Sequence, residues 1–298
     1  MNILVSGSSG LVGSSLLLYM GSKGHSMKSL VRQNPTHPSQ ILWNPSETGP
    51  ESAALDGIEA VVHLAGASIA SGRWSEARKR AIRDSRTIGT RLLVDSLVRM
   101  ARPPKVLVCA SAIGYYGSRG DEVLREDSAP GDDFLADVCK RWESATAPAS
   151  QKGIRVVNLR FGIILSPAGG ALAKMLLPFK MGLGGIIGSG AEYMSWIALS
   201  DILGIIAFAL DTESLRGPVN AVAPNAVTNK EFTKTLGKVL HRPTLFPMPA
   251  FAARLAFGEM ADALLLSSAR VEPSALKKAG FHFQWPALEG ALQHLLVA

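Results

Sequence analysis

The run SGSSGLVG, Ser6 to Gly13, directly follows the short apolar stretch Asn2–Ser6 and opens a segment of helical period containing Leu16, Leu17 and Met20. Glycines at this spacing between a strand and a helix suit a pyrophosphate. Gly7 permits the tight turn, Gly10 lets the backbone approach the anion, Gly13 allows close helix packing, and the helix N-terminus supplies N–H donors and positive dipole. A dinucleotide with a free 2′-hydroxyl is usually held by an Asp or Glu about 20 residues further on. No acidic residue occurs between Gly13 and Glu47, and Arg32 ends the second predicted strand instead. A guanidinium there can hold a 2′-phosphate through charge-assisted bonds, so the pattern favours NADP(H) over NAD(H). Two phenols, Tyr115 and Tyr116, follow the fifth predicted strand at its carboxyl end, where a doubly wound sheet places its ligands.

These groups need a scaffold to position them. Short apolar runs bounded by Gly and Asn alternate with longer segments of helical period, which predicts an α/β fold: a Rossmann-type doubly wound parallel sheet. Strands are expected at Asn2–Ser6, Ser26–Arg32, Ile41–Trp43, Ala60–Ala65, Lys105–Ser111 and Arg155–Phe161, with a late one near Val219–Ala223 that could rejoin the sheet. Ile88, Leu92, Leu93, Ser96 and Leu97 form one amphipathic stripe, in a helix expected from Ser85. Phe134, Val138, Trp142 and Ala145 form another. After Leu165 the chain turns Gly-rich and then mostly helical, including a helix announced by the T-x-x-E box of Thr228 and Glu231. The expected division is residues 1–165 for nucleotide binding and 166–298 for a smaller, mostly helical substrate region, with the cleft between them as the site.

Composition narrows the function classes. With 298 residues, 47% hydrophobic and 18% charged, the chain can bury a full core. Its longest apolar stretches fall short of the roughly 20 residues a bilayer span requires, and Met1 runs into NILVSG without an export signal. A cytoplasmic protein with no membrane partner is expected, with Cys109 and Cys139 as free thiols and no metal site. The net charge is +7, and its cations concentrate between Arg73 and Arg91. That segment lacks interleaved aromatics, so a solvated helix face is expected rather than a nucleic-acid site. Tyr19 and Lys23 spell Y-x-x-x-K, but on the first helix, behind the phosphate turn.

The strings SGSSGLVG, VVHLAGAS and ASAIGYYG resemble the extended short-chain dehydrogenase/reductase superfamily. HLAGASIASGRW, SRTIGT, DFLADVCKRWE, LRFGIILSPAGGAL and the ending AGFHFQWPALEGAL are similar to its atypical epimerase-family members, across essentially the whole chain. Those members include NADP-dependent oxidoreductases, sugar-nucleotide epimerases and relatives linked to cell or plastid division. The resemblance implies NADP(H) as cofactor and hydride transfer on an unidentified small molecule. It implies cofactor contacts at Gly7, Gly10, Leu11, Val12, Gly13, Arg32, Leu64, Ala65, Gly66, Arg86 and Ile164.

It also implies a catalytic Asn, a Ser or Thr, and a Tyr-x-x-x-Lys pair, and here the chain departs from the pattern. Ala112 takes the Ser/Thr position with Ser111 beside it, Ala136 takes the Tyr position ahead of Lys140, and Arg86 takes the Asn position. Ser111, Tyr115, Tyr116 and Lys140 are therefore the candidate catalytic groups, with Arg86 as a fixed cation for a phosphate or an anionic substrate. Loss of the Tyr keeps an alternative open, a sensor that binds NADP(H) and catalyses nothing. In SWIALSD, Ala198 replaces a family His, and Asp201, or Ser200 before it, is expected to cap a helix beginning at Ile202. The glycines from Gly182 to Gly190 could approach a ligand by backbone or form a flexible loop.

Overall fold

A computed structural model describes residues 1–297. Its first part comprises β1 (Asn2–Ser6), α1 (Leu11–Ser22), β2 (Ser26–Val31), β3 (Gln40–Leu42), β4 (Ala60–His63), α2 (Glu76–Arg99), β5 (Val106–Ala112), β6 (Val123–Leu124), α3 (Phe134–Ser144), α4 (Ala147–Gln151) and β7 (Arg155–Phe161). The remainder is β8 (Ile163–Ser166), α5 (Gly170–Lys180), β9 (Tyr193–Met194), β10 (Trp196–Ala198), α6 (Leu199–Asp211), β11 (Gly217–Ala221), β12 (Val227–Thr228), α7 (Asn229–Val239), α8 (Ala250–Phe257), α9 (Glu259–Leu264), β13 (Arg270–Val271), α10 (Ser274–Lys278) and α11 (Leu288–Leu296).

Seven parallel strands form one sheet in the order β11-β7-β5-β4-β1-β2-β3. The winding reverses between β1 and β4, which opens a crevice at their carboxyl ends. Leu16 and Met20 of α1 pack on one face with Ile202, Ile205 and Ile206 of α6. Leu93, Val94 and Leu97 of α2 pack on the other with Trp142 of α3. Covered on both faces, the central strands read as continuous apolar runs rather than alternating ones. Each large apolar side chain so buried contributes about 1.5–3 kcal/mol.

Helix α2 begins well before Ser85, because the Ser75 side chain accepts the Arg78 N–H at 3.2 Å and caps it. The late strand is β11, paired in parallel with β7, so α6 and β11 return to the sheet from beyond residue 165. A smaller, mainly helical lobe holds its own core of Leu172, Trp196, Phe232, Leu236, Leu288 and Leu292. The Thr228–Glu231 capping box starts α7 with both reciprocal bonds present. The Gly182–Gly190 loop is fastened rather than free: Asn229 Oδ1 accepts the Ile187 N–H at 2.8 Å, and the Gly190 carbonyl accepts the Lys230 N–H at 2.9 Å.

Asp201 does not cap a helix. Helix α6 starts earlier, at Leu199, and the buried Asp201 carboxylate accepts the N–H groups of Gln284 (2.7 Å) and Trp285 (3.1 Å), tying the C-terminal tail to the sheet domain. Burial holds its pKa above the ordinary value, against the pull of those two bonds. Among the described residues no helix is long and apolar enough to cross a membrane, and no group of three His, Cys, Asp or Glu could hold a metal. Cys109 and Cys139 are free and buried.

Candidate functional site

The crevice is built from the turn after β1. Gly7 adopts φ +71°, and a Cβ there would meet the Leu64 and Ala65 backbone at 2.8 Å, so only glycine lets the turn lie against the chain leaving β4. A Cβ on Gly13 would collide with the Gly7 carbonyl oxygen. Gly13 thus allows α1 to pack on the turn itself rather than on the strand. A Cβ on Gly10 would find one neighbour, the Gly7 oxygen at 3.3 Å, and the space above it is open. Gly10 is also the N-cap of α1 and supplies no side-chain cap, and the first turn contains no acidic residue. The first N–H groups of α1, on Leu11 and Val12 beside Gly13, therefore face an uncapped end, as an anion site requires.

A buried relay stiffens this turn from below. Ser6 Oγ accepts the N–H groups of Leu64 (3.2 Å) and Ala65 (3.3 Å) and lies 2.6 Å from His63 Nδ1, while His63 Nε2 lies 2.9 Å from Thr90 Oγ1. With both Ser6 lone pairs engaged, its O–H donates to Nδ1 and the ring carries its proton on Nε2. Burial lowers the His63 pKa to about 4, so the ring is neutral.

The other predicted cofactor residues surround the crevice. Arg32 follows β2, is exposed, and has no carboxylate partner among the described residues. Val12, Leu64 and Ile164 pack on the α1/α6 core, and the Leu11 side chain occupies the space that a Cβ on Gly169 or Gly170, at the start of α5, would face at 3.4 and 3.6 Å. The Arg86 guanidinium lies against Gly66, 3.3 Å from where a Cβ would stand, and over the Trp142 ring at 5.0 Å. Its Nη1 donates to the Ala67 and Ile82 carbonyls, both at 3.0 Å, and no carboxylate among the described residues pairs with it. Burial lowers its pKa; nearby Cys139 opposes this and nearby Arg78 adds to it.

The end of β5 is organised differently. Register places Ser111, Arg160 and Asn220 side by side across β5, β7 and β11. Arg160 forms a two-point ion pair with Glu143 of α3 (2.8 and 2.9 Å), and Ser111 Oγ donates to the same carboxylate at 2.6 Å. Tyr116 O–H donates to Asn220 Oδ1 at 2.6 Å and accepts from Arg160 at 2.9 Å. Burial weighs against the Arg160 charge, but the bonds and charge of Glu143 raise its pKa overall; burial pushes the Tyr116 phenol up to about 12.

Tyr116 is wholly buried and Ser111 almost so, and the hydroxyl of each is engaged in this network rather than open to the crevice. Tyr115 remains. It is half-buried, Arg160 lies 3.5 Å above its ring, and its hydroxyl has no hydrogen-bond partner among the described residues. The Tyr-x-x-x-Lys frame also shifts by one residue. A Cβ on Gly114, in the turn after β5, would meet Leu135 at 3.3 Å and Cys139 at 4.0 Å, so those two, one helical turn apart, face the β5 exit. Lys140 instead lines an open groove of about 760 Å³ between α2 and α3, with Arg83, Thr87, Arg91, Asp137 and Arg141. Tyr19 and Lys23 do meet, the ammonium 4.8 Å from the ring centroid, on α1. Of the basic segment, Arg78 is held by the Ser68 carbonyl and Ser71, and Lys79 pairs with Glu259 at 2.6 Å, so it is only partly a solvated face.

Sequence reasoning missed His63, Glu143, Arg160 and Asn220. A signal existed: His63 and Arg160 stand inside apolar strand runs, where a polar side chain must find a buried partner.

A seven-stranded parallel sheet with a glycine turn at its switch point defines a dinucleotide-binding α/β fold of the short-chain dehydrogenase/reductase type. Residues 3–221 match the NAD-dependent epimerase/dehydratase family and residues 248–295 match a domain of unknown function, DUF1731. The chain belongs to the NAD-dependent epimerase/dehydratase family. It is 43% identical over 290 residues to an epimerase family protein of Mycobacterium bovis, covering 97% of this chain and 96% of that one. The crystal structure of human epimerase family protein SDR39U1 (isoform 2) with NADPH superposes with a TM-score of 0.92 at 33% identity, covering 99% of both chains. A nucleoside-diphosphate sugar epimerase of Corynebacterium glutamicum gives a TM-score of 0.81 at 37% identity, covering 99% of this chain and 58% of that chain.

Proposed function

We propose that the protein binds NADP(H) and acts as an oxidoreductase or nucleotide-sugar epimerase that dispenses with the Tyr-x-x-x-Lys pair. The observation that carries this reading is the open cradle after β1, with its uncapped helix, the unfilled space over Gly10 and the free Arg32 guanidinium. The human relative solved with NADPH, alike over 99% of both chains, supports it. When bound, NADP(H) supplies the hydride donor or acceptor. The backbone of Gly7 and Gly10 and the N–H groups of Leu11 and Val12 would hold the pyrophosphate, and Arg32 the 2′-phosphate. Arg86, a cation without a carboxylate beside Gly66, would balance negative charge on a substrate oxygen. Tyr115 is the phenol left free to exchange a proton. The two free, buried thiols support a reducing compartment, the cytoplasm.

The test is NADPH oxidation on a broad panel of carbonyl compounds. Acid–base help contributes about a hundred- to ten-thousand-fold, so Tyr115→Phe should lower turnover within that range without weakening NADPH binding. Full activity in Tyr115→Phe overturns the role of the phenol. A regulator that binds NADP(H) without catalysis is the second reading, favoured by the locked Ser111 and Tyr116 and by the Leu135–Cys139 face at the β5 exit. It becomes the better account if NADPH binds and nothing turns over.

A further inference from the structure

Exposed large apolar side chains are concentrated on one part of the molecule. Of the thirteen among the described residues, eight fall in two segments, 177–183 and 245–255. Leu177 of α5 and Met181, the residue just past its end, stand one turn apart, 68% and 63% exposed; on α8, Phe251 and Leu255 repeat the spacing at 72% and 76%. Leu245 and Phe246 protrude from the chain just ahead of α8. The segments are joined to each other. Arg242 Nε donates to the Lys180 carbonyl at 2.8 Å, the Met248 N–H to the Ile186 carbonyl at 2.8 Å, and the Gly188 N–H to the Met248 carbonyl at 3.0 Å. Both helices also hold one loop, since Lys174 Nζ donates to the Ala70 carbonyl at 2.9 Å and Arg73 to the Leu255 carbonyl.

The unpaired charge of these segments has one sign. No Asp or Glu occurs from Pro167 to Ala191 or from Phe232 to Gly258, stretches that carry Lys174, Lys180, Lys234, Lys238, Arg242 and Arg254. Lys238 and Arg254 are paired with Glu289 and Asp262. The other four cations have no carboxylate partner among the described residues. Apolar groups this exposed and this clustered mark an interaction surface.

The features select the occupant. Protruding apolar side chains flanked by unpaired cations fit a deformable, negatively charged medium: the apolar tips enter the headgroup boundary while Lys and Arg meet lipid phosphates. A second copy of the chain fits less well, because a two-fold contact sets the patch against itself, one surface of unpaired cations against another. We propose that the α5–α8 face docks on the surface of an anionic lipid bilayer, without crossing it.

Co-sedimentation of the full chain with vesicles tests this. Vesicles of phosphatidylcholine containing about a third phosphatidylglycerol should pellet the protein at low salt, pure phosphatidylcholine should not, and about 1 M salt should release it. The variants Phe251→Ser/Leu255→Ser and Lys180→Glu should each lower the bound fraction about tenfold and keep the wild-type unfolding midpoint, since these side chains are exposed and none of them holds a hydrogen bond among the described residues. No binding to anionic vesicles at low salt overturns the proposal, as do folded patch variants that pellet like the wild type. A dimer in light scattering that Phe251→Ser/Leu255→Ser converts to monomer also overturns it, by making a second copy the occupant.

Discussion

Where β1 ends, a helix begins without a side-chain cap, a guanidinium just past the next strand has no carboxylate partner among the described residues, and the space over Gly10 is unfilled. Where β5 ends, two strands away in the same sheet, the polar side chains of Ser111, Glu143, Arg160, Tyr116 and Asn220 all satisfy one another. Buried polar groups with complete partners build structure, whereas groups held in place without partners await a ligand. By that criterion Ser111 and Tyr116 belong to the structure of the β5 end, Tyr115 is the phenol there that the network leaves free, and the phosphate end is open to a ligand.

Breaking the β5 network should have the largest effect. Glu143→Ala leaves Arg160, with its side chain 2% exposed, as a buried charge without its partner. We predict a loss of about 3–5 kcal/mol in urea unfolding. A loss below about 1 kcal/mol would show that the network is surface-like. The relay under the phosphate turn should respond to pH instead. His63 has a folded pKa of about 4, below the ordinary 6.5, so the unfolded chain binds more protons between those values. Its contribution is complete above pH 6.5 and is lost as the pH falls toward 4, amounting to about 3 kcal/mol. The unfolding midpoint should drop across that window, and His63→Gln should flatten the slope. On the binding side, Gly10→Val should weaken NADPH about a hundredfold or more, worth about 2.7 kcal/mol, in a protein that circular dichroism shows to be folded, because the added branches fill the open space. Unchanged affinity in a folded variant would make the turn merely structural.

Much of this was legible in the chain, for physical reasons. Strands such as Asn2–Ser6 and Arg155–Phe161 could be bounded because parallel strands buried on both faces are continuous apolar runs closed by turn residues. The glycine turn was legible because Gly7 and Gly13 answer local steric demands and Gly10 keeps the space above the turn open. The start of α2 was not, since Ser75 lies in a polar stretch where one cap resembles any other hydroxyl. The fate of Tyr116 was not legible either: its partners Arg160 and Asn220 lie 44 and 104 residues away, and only strand register brings them together. The one-residue shift from Lys140 to Cys139 is of the same kind, because which side of α3 meets Gly114 is set by tertiary packing and not by a four-residue spacing.

The phosphate end is tested most directly by titration calorimetry of NADPH and NADH against the wild type and Arg32→Ala. The account predicts tighter binding of NADPH, and an Arg32→Ala variant that loses about 1.5–3 kcal/mol with NADPH and almost nothing with NADH. Equal affinities in the wild type, or a variant that keeps the preference, would contradict it.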